Sequence, residues 1–287
     1  MIFKLIYLSG FITKFFNFKY FYNLNKIFTL FVSKKKIIKI KLNSDTYFSF
    51  LLKDPYYNRL IYPKFKYEPE IEYLLQKLKN ISFTFIDAGA NFGYWSILLS
   101  SKHFNKKKVI AIEPLKSNFS YLKKNFLDNN NRFKILNIGV GDKKKYSKIY
   151  YENENSNVGA SIYKVGNRTN IFEMIKIDTI DNILSSNKKK RYVIKLDVEG
   201  NEINAIKGAR RTLNKDCLII YEDHANDKLH LNSKYLLNKN FFIYYFDYKK
   251  IYQIKKIDDL NSVKKIKHKG YNFIATKSYY FKKFLSK

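Results

Sequence analysis

The sequence predicts an α/β protein with a parallel sheet, and three features support that prediction. The stretch "FTFIDAGANFGYWSILLSS" (83–101) passes from an apolar strand through a glycine-spaced loop into an apolar helix. Strand and helix patterns then alternate along the chain, which is the signature of a parallel sheet. A second stretch, "YVIKLDVEGNEINAIKGARRTL" (192–213), again leads from a buried strand into an amphipathic helix. A chain of 287 residues is long enough for one large domain of this kind with additions.

The first 64 residues are predicted to form a helix and hairpin extension, followed by the main domain at residues 65–287. Residues 1–36 are aromatic and basic, and lysines interrupt each apolar run before it reaches transmembrane length. We interpret them as a helix packed on the domain, with an amphipathic helix on an anionic membrane surface as the alternative. Alternating runs predict a hairpin at 37–52, and a proline and early acids predict a helix at 68–80.

The elements of the main domain follow from apolar periodicity. Strands are expected at 83–87, 108–113, 133–138, 192–197 and 217–222, with two closing strands at 241–247 and 271–277. Helices are expected at 94–101, 117–129 and 201–213. Residues 142–184 form an insertion, and we expect its polar loop at 153–170 to face the substrate.

Composition restricts the class of protein. Cys217 is the only cysteine, which excludes a disulfide framework within the chain, and its apolar surroundings predict a buried, inert thiol. The formal charge is +31, but 49 of the 55 basic residues are lysines spread along the chain. We attribute this mainly to the amino-acid bias of an A+T-rich genome and expect only nonspecific attraction to nucleic acid. We predict a cytoplasmic location, with peripheral membrane contact through residues 1–36 as the alternative.

The loop from Asp87 to Gly93 indicates the type of cofactor. It reads D-x-G-x-N-x-G, which is neither the dinucleotide pattern G-x-G-x-x-G nor a P-loop. Glu113 ends the next strand, where an acid can accept hydrogen bonds from the hydroxyls of a ribose. Asp87 suits an ammonium group better than a pyrophosphate. A cofactor with a ribose and an amino-acid tail fits these positions, and S-adenosylmethionine is the common one.

Six motifs, in order, resemble those of the FkbM-type S-adenosylmethionine-dependent methyltransferases. They are "IDAGANFGYWS", "VIAIEP", "NIGVGD", "NVGAS", "IKLDVEGNEINAIKGA" and "IIYEDH". The resemblance implies a Rossmann-like class I methyltransferase fold, with a mostly parallel sheet of seven strands whose last strand is reversed. It also implies a cofactor site in which the methionine and ribose are lined by Asp87, Gly89, Asn91 and Gly93, the ribose is held by Glu113, and the adenine lies near Gly139 and Asp142.

Polar residues at the ends of two strands are the candidates for catalysis. Asp197 and Glu199 follow one strand, and Glu222 and His224 end another. The family fold implies that these strands are neighbours, so we expect Asp197, Glu222 and His224 to form the catalytic group, one of them acting as general base. Alternatively, Glu199 and Glu202 cap the next helix, His224 has no role, or Asp197 and Glu222 bind a divalent cation. We predict no metal site.

The resemblance implies that the acceptor is a hydroxyl of a glycan, a lipid-linked sugar or a secondary metabolite. We therefore predict an O-methyltransferase for a hydroxyl-bearing small molecule or glycan. An RNA or DNA methyltransferase is one alternative, although the chain lacks the adjacent prolines of adenine-amino enzymes and Cys217 is poorly placed as a nucleophile. A non-catalytic protein that binds a membrane surface is the other, and the intact polar positions argue against it.

Overall fold

The computed structural model describes residues 2–16, 18, 20–33, 35–151, 161, 171–187, 189–247, 250–267 and 269–286. Its helices are α1 (Ile2–Thr13), α2 (Phe21–Phe28), α3 (Pro69–Lys77), α4 (Tyr94–Ser100), α5 (Lys116–Asp128), α6 (Ile180–Ile183), α7 (Glu202–Lys207), α8 (Arg210–Leu213), α9 (Leu231–Asn238), α10 (Ile257–Val263) and α11 (Tyr279–Leu285). Short 3-10 turns lie at Lys14–Phe16, Tyr57–Ile61 and Lys102–Phe104.

Thirteen strands are found in the same part of the chain. They are β1 (Ile37–Asn43), β2 (Thr46–Leu51), β3 (Thr84–Ala88), β4 (Lys108–Ile112), β5 (Lys134–Leu136), β6 (Gly139–Val140), β7 (Lys145–Tyr151), β8 (Ile171–Asp178), β9 (Arg191–Leu196), β10 (Asp216–His224), β11 (Phe242–Phe246), β12 (Ile251–Ile254) and β13 (Gly270–Thr276). β1 and β2 form the predicted hairpin as a separate two-stranded sheet.

The main sheet has the strand order β12–β11–β13–β10–β9–β3–β4–β5. Neighbours from β10 to β5 are parallel, and β13 runs antiparallel between β10 and β11. The Rossmann-like α/β fold with a reversed last strand is therefore confirmed. β12 is an eighth strand, paired with β11 at the edge, that the sequence prediction missed. At four residues it is too short to show a clear period.

Helices cover both faces of the sheet, which explains why its central strands are apolar on both sides. Phe85 and Val193 belong to a core shared with α3, α4 and α5. Their chain neighbours Ile86 and Ile194 belong to the opposite core, shared with α6 to α10. Because both faces are dry, polar side chains on these strands concentrate at the carboxyl ends, where a site can form.

The helix predicted at 201–213 is wrong in one respect, because the structure has two short helices there, α7 and α8. Gly208 separates them and lies directly against the backbone of Gly141. A Cβ atom at Gly208 would stand 1.9 Å from the carbonyl oxygen of Gly141. This close backbone contact, which apolar periodicity cannot reveal, accompanies the break in the helix.

The insertion contributes a three-stranded sheet in the order β6–β8–β7. The polar loop that we expected to face the substrate, at 153–170, lies outside the described residues except for Ser161. Ser161 exchanges two backbone hydrogen bonds with Tyr150 on β7. Its hydroxyl donates to the carbonyl oxygen of Glu199 at 2.8 Å, so the insertion reaches the loop that follows β9.

The N-terminal extension packs on the main domain. α1 contacts α2 and the turn at Tyr57–Ile61, and Ile6 is fully buried in the same core as β3. The Asn125 amide of α5 accepts from Ser49 N at 2.7 Å and donates to the carbonyl oxygens of Ser49 and Phe92, at 2.9 and 2.8 Å. It thereby ties β2 to the loop that follows β3. No described helix is both long and apolar enough to cross a membrane.

Candidate active site

A cavity of about 480 Å³ opens where β3, β4, β9 and β10 end. Open α/β sheets bind their ligands at this edge, and the volume is typical of small-molecule sites. Eight of the ten residues predicted for the site line the cavity, namely Asp87, Gly89, Asn91, Glu113, Gly139, Asp197, Glu222 and His224. The strand order brings them together, because β3 lies between β4 and β9, and β10 is the next strand beyond β9.

The two other predicted residues are not part of the cavity lining. Gly93 has φ 88° and begins α4, and a Cβ atom there would meet Leu122 Cδ1 at 2.6 Å. It therefore shapes the loop instead of facing a ligand. Asp142 is exposed and lies 3.5 Å from the ammonium group of Lys145. Its place near the adenine stays a prediction.

The loop after β3 approaches β9 so closely that only glycine fits. Gly89 has φ 80°, and a Cβ atom there would stand 1.8 Å from the carbonyl oxygen of Asp197. Asn91 also has a positive φ, of 50°, which asparagine tolerates better than most residues. Its side-chain oxygen is buried and has no hydrogen-bond partner in the described part of the chain. A buried acceptor without a partner, in a cavity wall, is suited to a ligand that donates.

Glu113 is held in the cavity wall by two backbone donors. Its Oε2 accepts from Asn91 N at 2.9 Å, and its Oε1 accepts from Leu115 N at 3.0 Å. Burial raises the pKa of this carboxyl to about 7, against the opposing effect of those two hydrogen bonds. The Asn118 side-chain amide is a second donor to Oε1, at 3.5 Å, so Oε2 is the oxygen with a lone pair left to accept from a ligand hydroxyl.

A buried lysine that the sequence prediction overlooked lies among the carboxylates. Lys195 Nζ donates to Asp197 Oδ2 at 2.7 Å. Burial alone would lower the pKa of Lys195, but Asp197, Glu68 and Asp87 outweigh burial and raise it. One ammonium group thus faces several carboxylates, so the cavity suits a cationic ligand. Its position inside the apolar strand "YVIKL" was the available sequence signal, because a lysine in a buried strand needs an anionic partner.

The register of the sheet places Asp87 beside Lys195. The two residues are direct partners across the parallel pair β3 and β9. Asp87 Oδ2 also accepts from the Ser96 hydroxyl of α4 at 2.7 Å. Burial raises the pKa of Asp87, and Lys195 and Ser96 partly offset that rise. Asp87 is therefore a positioned acid at the end of β3, as its place in the sequence predicted.

Glu68, just before α3, is a second cavity residue that sequence reasoning missed. It has φ 43° and ψ 61°, and its Oε2 accepts from the indole N–H of Trp95 at 2.7 Å. Burial raises the pKa of Glu68, with Lys195 as the main opposing charge. In the sequence it belongs only to the early acids that predict the helix at 68–80. The sequence signal for a buried acceptor near α4 was Trp95, because a buried indole N–H needs a hydrogen-bond acceptor.

Glu222 occupies a space that glycine leaves open on β13. A Cβ atom on Gly270 would meet Glu222 Oε1 at 1.4 Å. Burial first, and then the charge of Asp197, raise the pKa of Glu222 to about 8. His224 also lines the cavity but is exposed. Among the described residues, no group of three or more histidine, cysteine or acidic side chains is arranged to hold a metal ion.

The remaining predicted feature concerns Cys217. It lies in β10 and is buried in the core, as predicted. Burial raises its pKa, so the thiol is kept in its unreactive, protonated form.

The strand order and a site at the carboxyl ends of the strands define a class I methyltransferase fold. The chain matches the methyltransferase FkbM domain family over residues 87–271. That match covers more than half of the sequence, so the protein belongs to the FkbM methyltransferase family. Its methyl donor is accordingly S-adenosylmethionine.

Several solved structures resemble the chain at low sequence identity. A methyltransferase FkbM from Methylobacillus flagellatus KT is 23% identical, with a TM-score of 0.40, and the match covers 56% of this chain and 39% of that protein. A precorrin-6y C5,15-methyltransferase from Geobacter metallireducens GS-15 is 13% identical, with a TM-score of 0.42 and coverages of 74% and 89%. The match thus spans well under half of the Methylobacillus protein. No curated protein matches the chain.

The residues of the cavity fit this donor. The backbone at Gly89 leaves no room for a side chain beside Asp197. The side-chain oxygen of Asn91 has no hydrogen-bond partner among the described residues and could accept from a donor. Glu113 Oε2 can accept from a ribose hydroxyl. The surplus of carboxylates around Lys195 suits a molecule with ammonium and sulfonium charges.

Proposed function

We propose that this protein transfers the methyl group of S-adenosylmethionine to a hydroxyl of a sugar-containing small molecule or glycan. One observation carries the proposal. The Glu222 carboxyl, whose pKa is raised to about 8, stands in the cavity beside Asp197. A hydroxyl must lose its proton as it is methylated, so this reaction gains from a base near neutral pH, whereas transfer to a readily ionised acceptor does not.

The donor side of the cavity aligns the reactants. The bound donor supplies an activated methyl group on a sulfonium sulfur. Glu113 accepts hydrogen bonds from the ribose hydroxyls, while Asp87 and Glu68 stabilise the positive charge of the amino-acid part. Because the donor is already activated, most of the rate enhancement comes from alignment and exclusion of water.

Glu222 is the base that this arrangement favours over its two neighbours. Asp197 already accepts a hydrogen bond from Lys195 at 2.7 Å, and its negative charge raises the pKa of Glu222. His224 is exposed at the end of β10. The Glu222 carboxylate would take the proton of the acceptor hydroxyl as that oxygen receives the methyl group. The bond between sulfur and the methyl group would break, the donor would leave as the neutral thioether, and the proton would pass to solvent.

Aromatic residues support a sugar-like acceptor. Tyr56, Tyr57 and Tyr67 line the cavity together with the carboxylates. A tyrosine combines an apolar ring face with a polar tip, which matches a sugar ring with its C–H faces and hydroxyl edges. Carboxylates and tyrosine hydroxyls in one cavity therefore favour a hydroxyl-rich acceptor over an apolar one.

The test is methyl transfer from isotopically labelled S-adenosylmethionine to a panel of monosaccharides, nucleotide sugars, glycolipids and total RNA. We expect label on a sugar hydroxyl, located by mass spectrometry of the product, and a loss of that label in Glu222→Gln. Label that enters RNA alone, or transfer to sugars that Glu222→Gln leaves unchanged, contradicts the proposal. Titration of S-adenosylhomocysteine into each variant shows whether the donor site is intact.

A further inference from the structure

The two N-terminal helices expose unusually many large apolar side chains, although a helix at a protein surface normally presents polar residues to water. These side chains lie on the helices and on the turns that follow them. We call the six most exposed of them, Phe11, Phe15, Phe16, Ile27, Leu30 and Phe31, the N-terminal apolar surface. Phe15 is 75% exposed and Phe31 is fully exposed, at 102%. Exposing so many large apolar groups together is unfavourable in water and marks a surface that another phase or molecule covers.

Four polar side chains are buried on the inner side of the same helices, beside the apolar Ile6 and Phe21. Ser9, Thr13, Asn25 and Thr29 are all buried, and they recur at intervals of four residues within each helix. The Ser9, Thr13 and Thr29 hydroxyls donate to the carbonyl oxygens one turn earlier, at 2.9, 2.6 and 2.7 Å. Small polar residues at helix contacts, with apolar residues outside, are typical of helices that face lipid.

The charge around this surface has a single sign. Residues 1–44 contain nine lysines and no acidic residue, and Asp45 is the first acid in the chain. Lys4, Lys14 and Lys26 are exposed on the two helices and the turn between them. Basic residues beside exposed aromatic side chains match the headgroups and the acyl boundary of an anionic bilayer.

We propose that the N-terminal apolar surface docks on an anionic lipid bilayer and lies within the headgroup layer. α1 has twelve residues, which corresponds to about 18 Å of helix, against a hydrocarbon core of about 30 Å. The helices therefore lie in the interface and do not span the membrane. The aromatic side chains enter the acyl boundary, and the lysines contact the phosphates.

Docking would bring the bilayer close to the cavity. Gly10 of α1 is packed on the Tyr62 ring, where a Cβ atom would meet Cγ at 2.5 Å. Tyr62 directly follows the turn at Tyr57–Ile61, and Tyr57 of that turn lines the cavity. If the proposed function holds, an acceptor attached to a lipid would reach the site from this side, but the docking itself does not depend on the reaction.

The test is flotation of the full-length protein with vesicles of phosphatidylcholine alone or mixed with phosphatidylglycerol. The double variant Phe15→Ser/Phe31→Ser removes two of the apolar contacts. The matched control, Tyr146→Ser/Tyr279→Ser, removes two aromatic side chains that are 74% and 76% exposed elsewhere on the protein. We expect the wild type to float with the anionic vesicles. The phenylalanine variant should lose at least about tenfold in partitioning, and the tyrosine control should not.

Three outcomes overturn the proposal. The first is equal flotation of the two double variants, and the second is flotation that moderate salt abolishes in every protein, which would reduce the effect to lysine attraction. The third is a wild-type dimer that Phe15→Ser/Phe31→Ser converts to a monomer in size-exclusion chromatography, because a second copy of the chain would then cover the surface. Circular dichroism of each variant verifies that it is folded.

Discussion

Two lysine–aspartate pairs in this protein, each with a buried lysine, differ in their surroundings. Lys264 and Asp223 are 2.6 Å apart, with side chains only 2% and 0% exposed. Asp223 also accepts from the Ser233 hydroxyl, and Lys264 donates to the carbonyl oxygen of Asp227 and contacts His230 Nδ1. Every charge in this closed cluster is matched, so the cluster serves packing and not binding.

Lys195 and Asp197 form the other pair, at the edge of the cavity. Asp197 is 35% exposed, and Lys195 faces Glu68 and Asp87 as well. Here the carboxylates outnumber the ammonium group, and the surplus faces an open cavity. The difference teaches that a buried ion pair does not by itself identify a functional site, whereas an uncompensated charge beside a cavity does.

The largest expected effect is a difference in stability between two conservative variants. Asp223→Asn leaves the Lys264 ammonium buried without an anion, which should lower the free energy of unfolding by about 3–5 kcal/mol. Asp197→Asn leaves Lys195 beside Glu68 and Asp87, so we expect a loss of less than about 1 kcal/mol. Urea unfolding of both variants measures the difference. Equal losses of unfolding free energy would show that the two pairs contribute alike to stability, and would contradict the difference between the closed cluster and the cavity.

The next effect concerns turnover. Glu222→Gln removes the proposed base and should lower kcat on the order of 10²-fold, because general-base catalysis typically contributes at least that much. Affinity for S-adenosylhomocysteine should stay within about twofold, since the donor side of the cavity is unchanged. Steady-state kinetics and calorimetry provide the two readouts. Undiminished kcat would remove Glu222 from the mechanism.

Glu113→Gln should separate binding from stability. Loss of the carboxylate weakens its hydrogen bonds to the ribose, and we expect roughly 30-fold lower affinity for S-adenosylhomocysteine by calorimetry. Folding raises the pKa of Glu113 from 4.5 to about 7, so the folded state takes up a proton and wild-type stability falls as pH rises through that window. Above pH 7 the glutamine variant avoids the buried charge but loses one of the two backbone hydrogen bonds, because its NH2 group cannot accept. We therefore expect an unfolding temperature within a few degrees of the wild type. A larger drop in unfolding temperature together with weaker binding would indicate damage to the fold.

The smallest effect is a pH dependence. Because the pKa of Glu222 is raised to about 8 by burial and by Asp197, its carboxylate form increases about tenfold between pH 7 and pH 9. The value of kcat/KM should rise over that range and then level off. In Glu222→Gln the rise should disappear. A rise of the same size in that variant would assign the titration to another group, such as Glu113.

Most of the fold and most of the cavity residues could be predicted from the sequence, because apolar periodicity and the order of polar residues after strands are local signals. β12 was missed because four residues carry little periodicity, and the break at Gly208 depends on a contact with distant Gly141. Glu68 and Lys195 were missed for a similar reason. Their roles arise only when α3 and β9 are placed beside β3.

The surroundings of individual acidic residues were equally hard to predict. Glu222 and Asp223 are neighbours on β10, yet one lines the cavity and the other is buried in the closed cluster. The alternation of side chains along a strand predicts opposite faces for them. Which face is closed depends on α9 and α10, and that packing is not visible in the sequence of the strand.

The three hydrogen bonds of the Asn125 amide have a practical consequence for shorter versions of this protein. Two of them go to Ser49, and the third supports the carbonyl group of Phe92, between Asn91 and Gly93. A fragment that begins after the hairpin would keep every motif of the family and still lose two of the three partners that orient this amide. The loop that follows β3 would be less ordered, so an inactive fragment would say nothing about the catalytic competence of the whole chain.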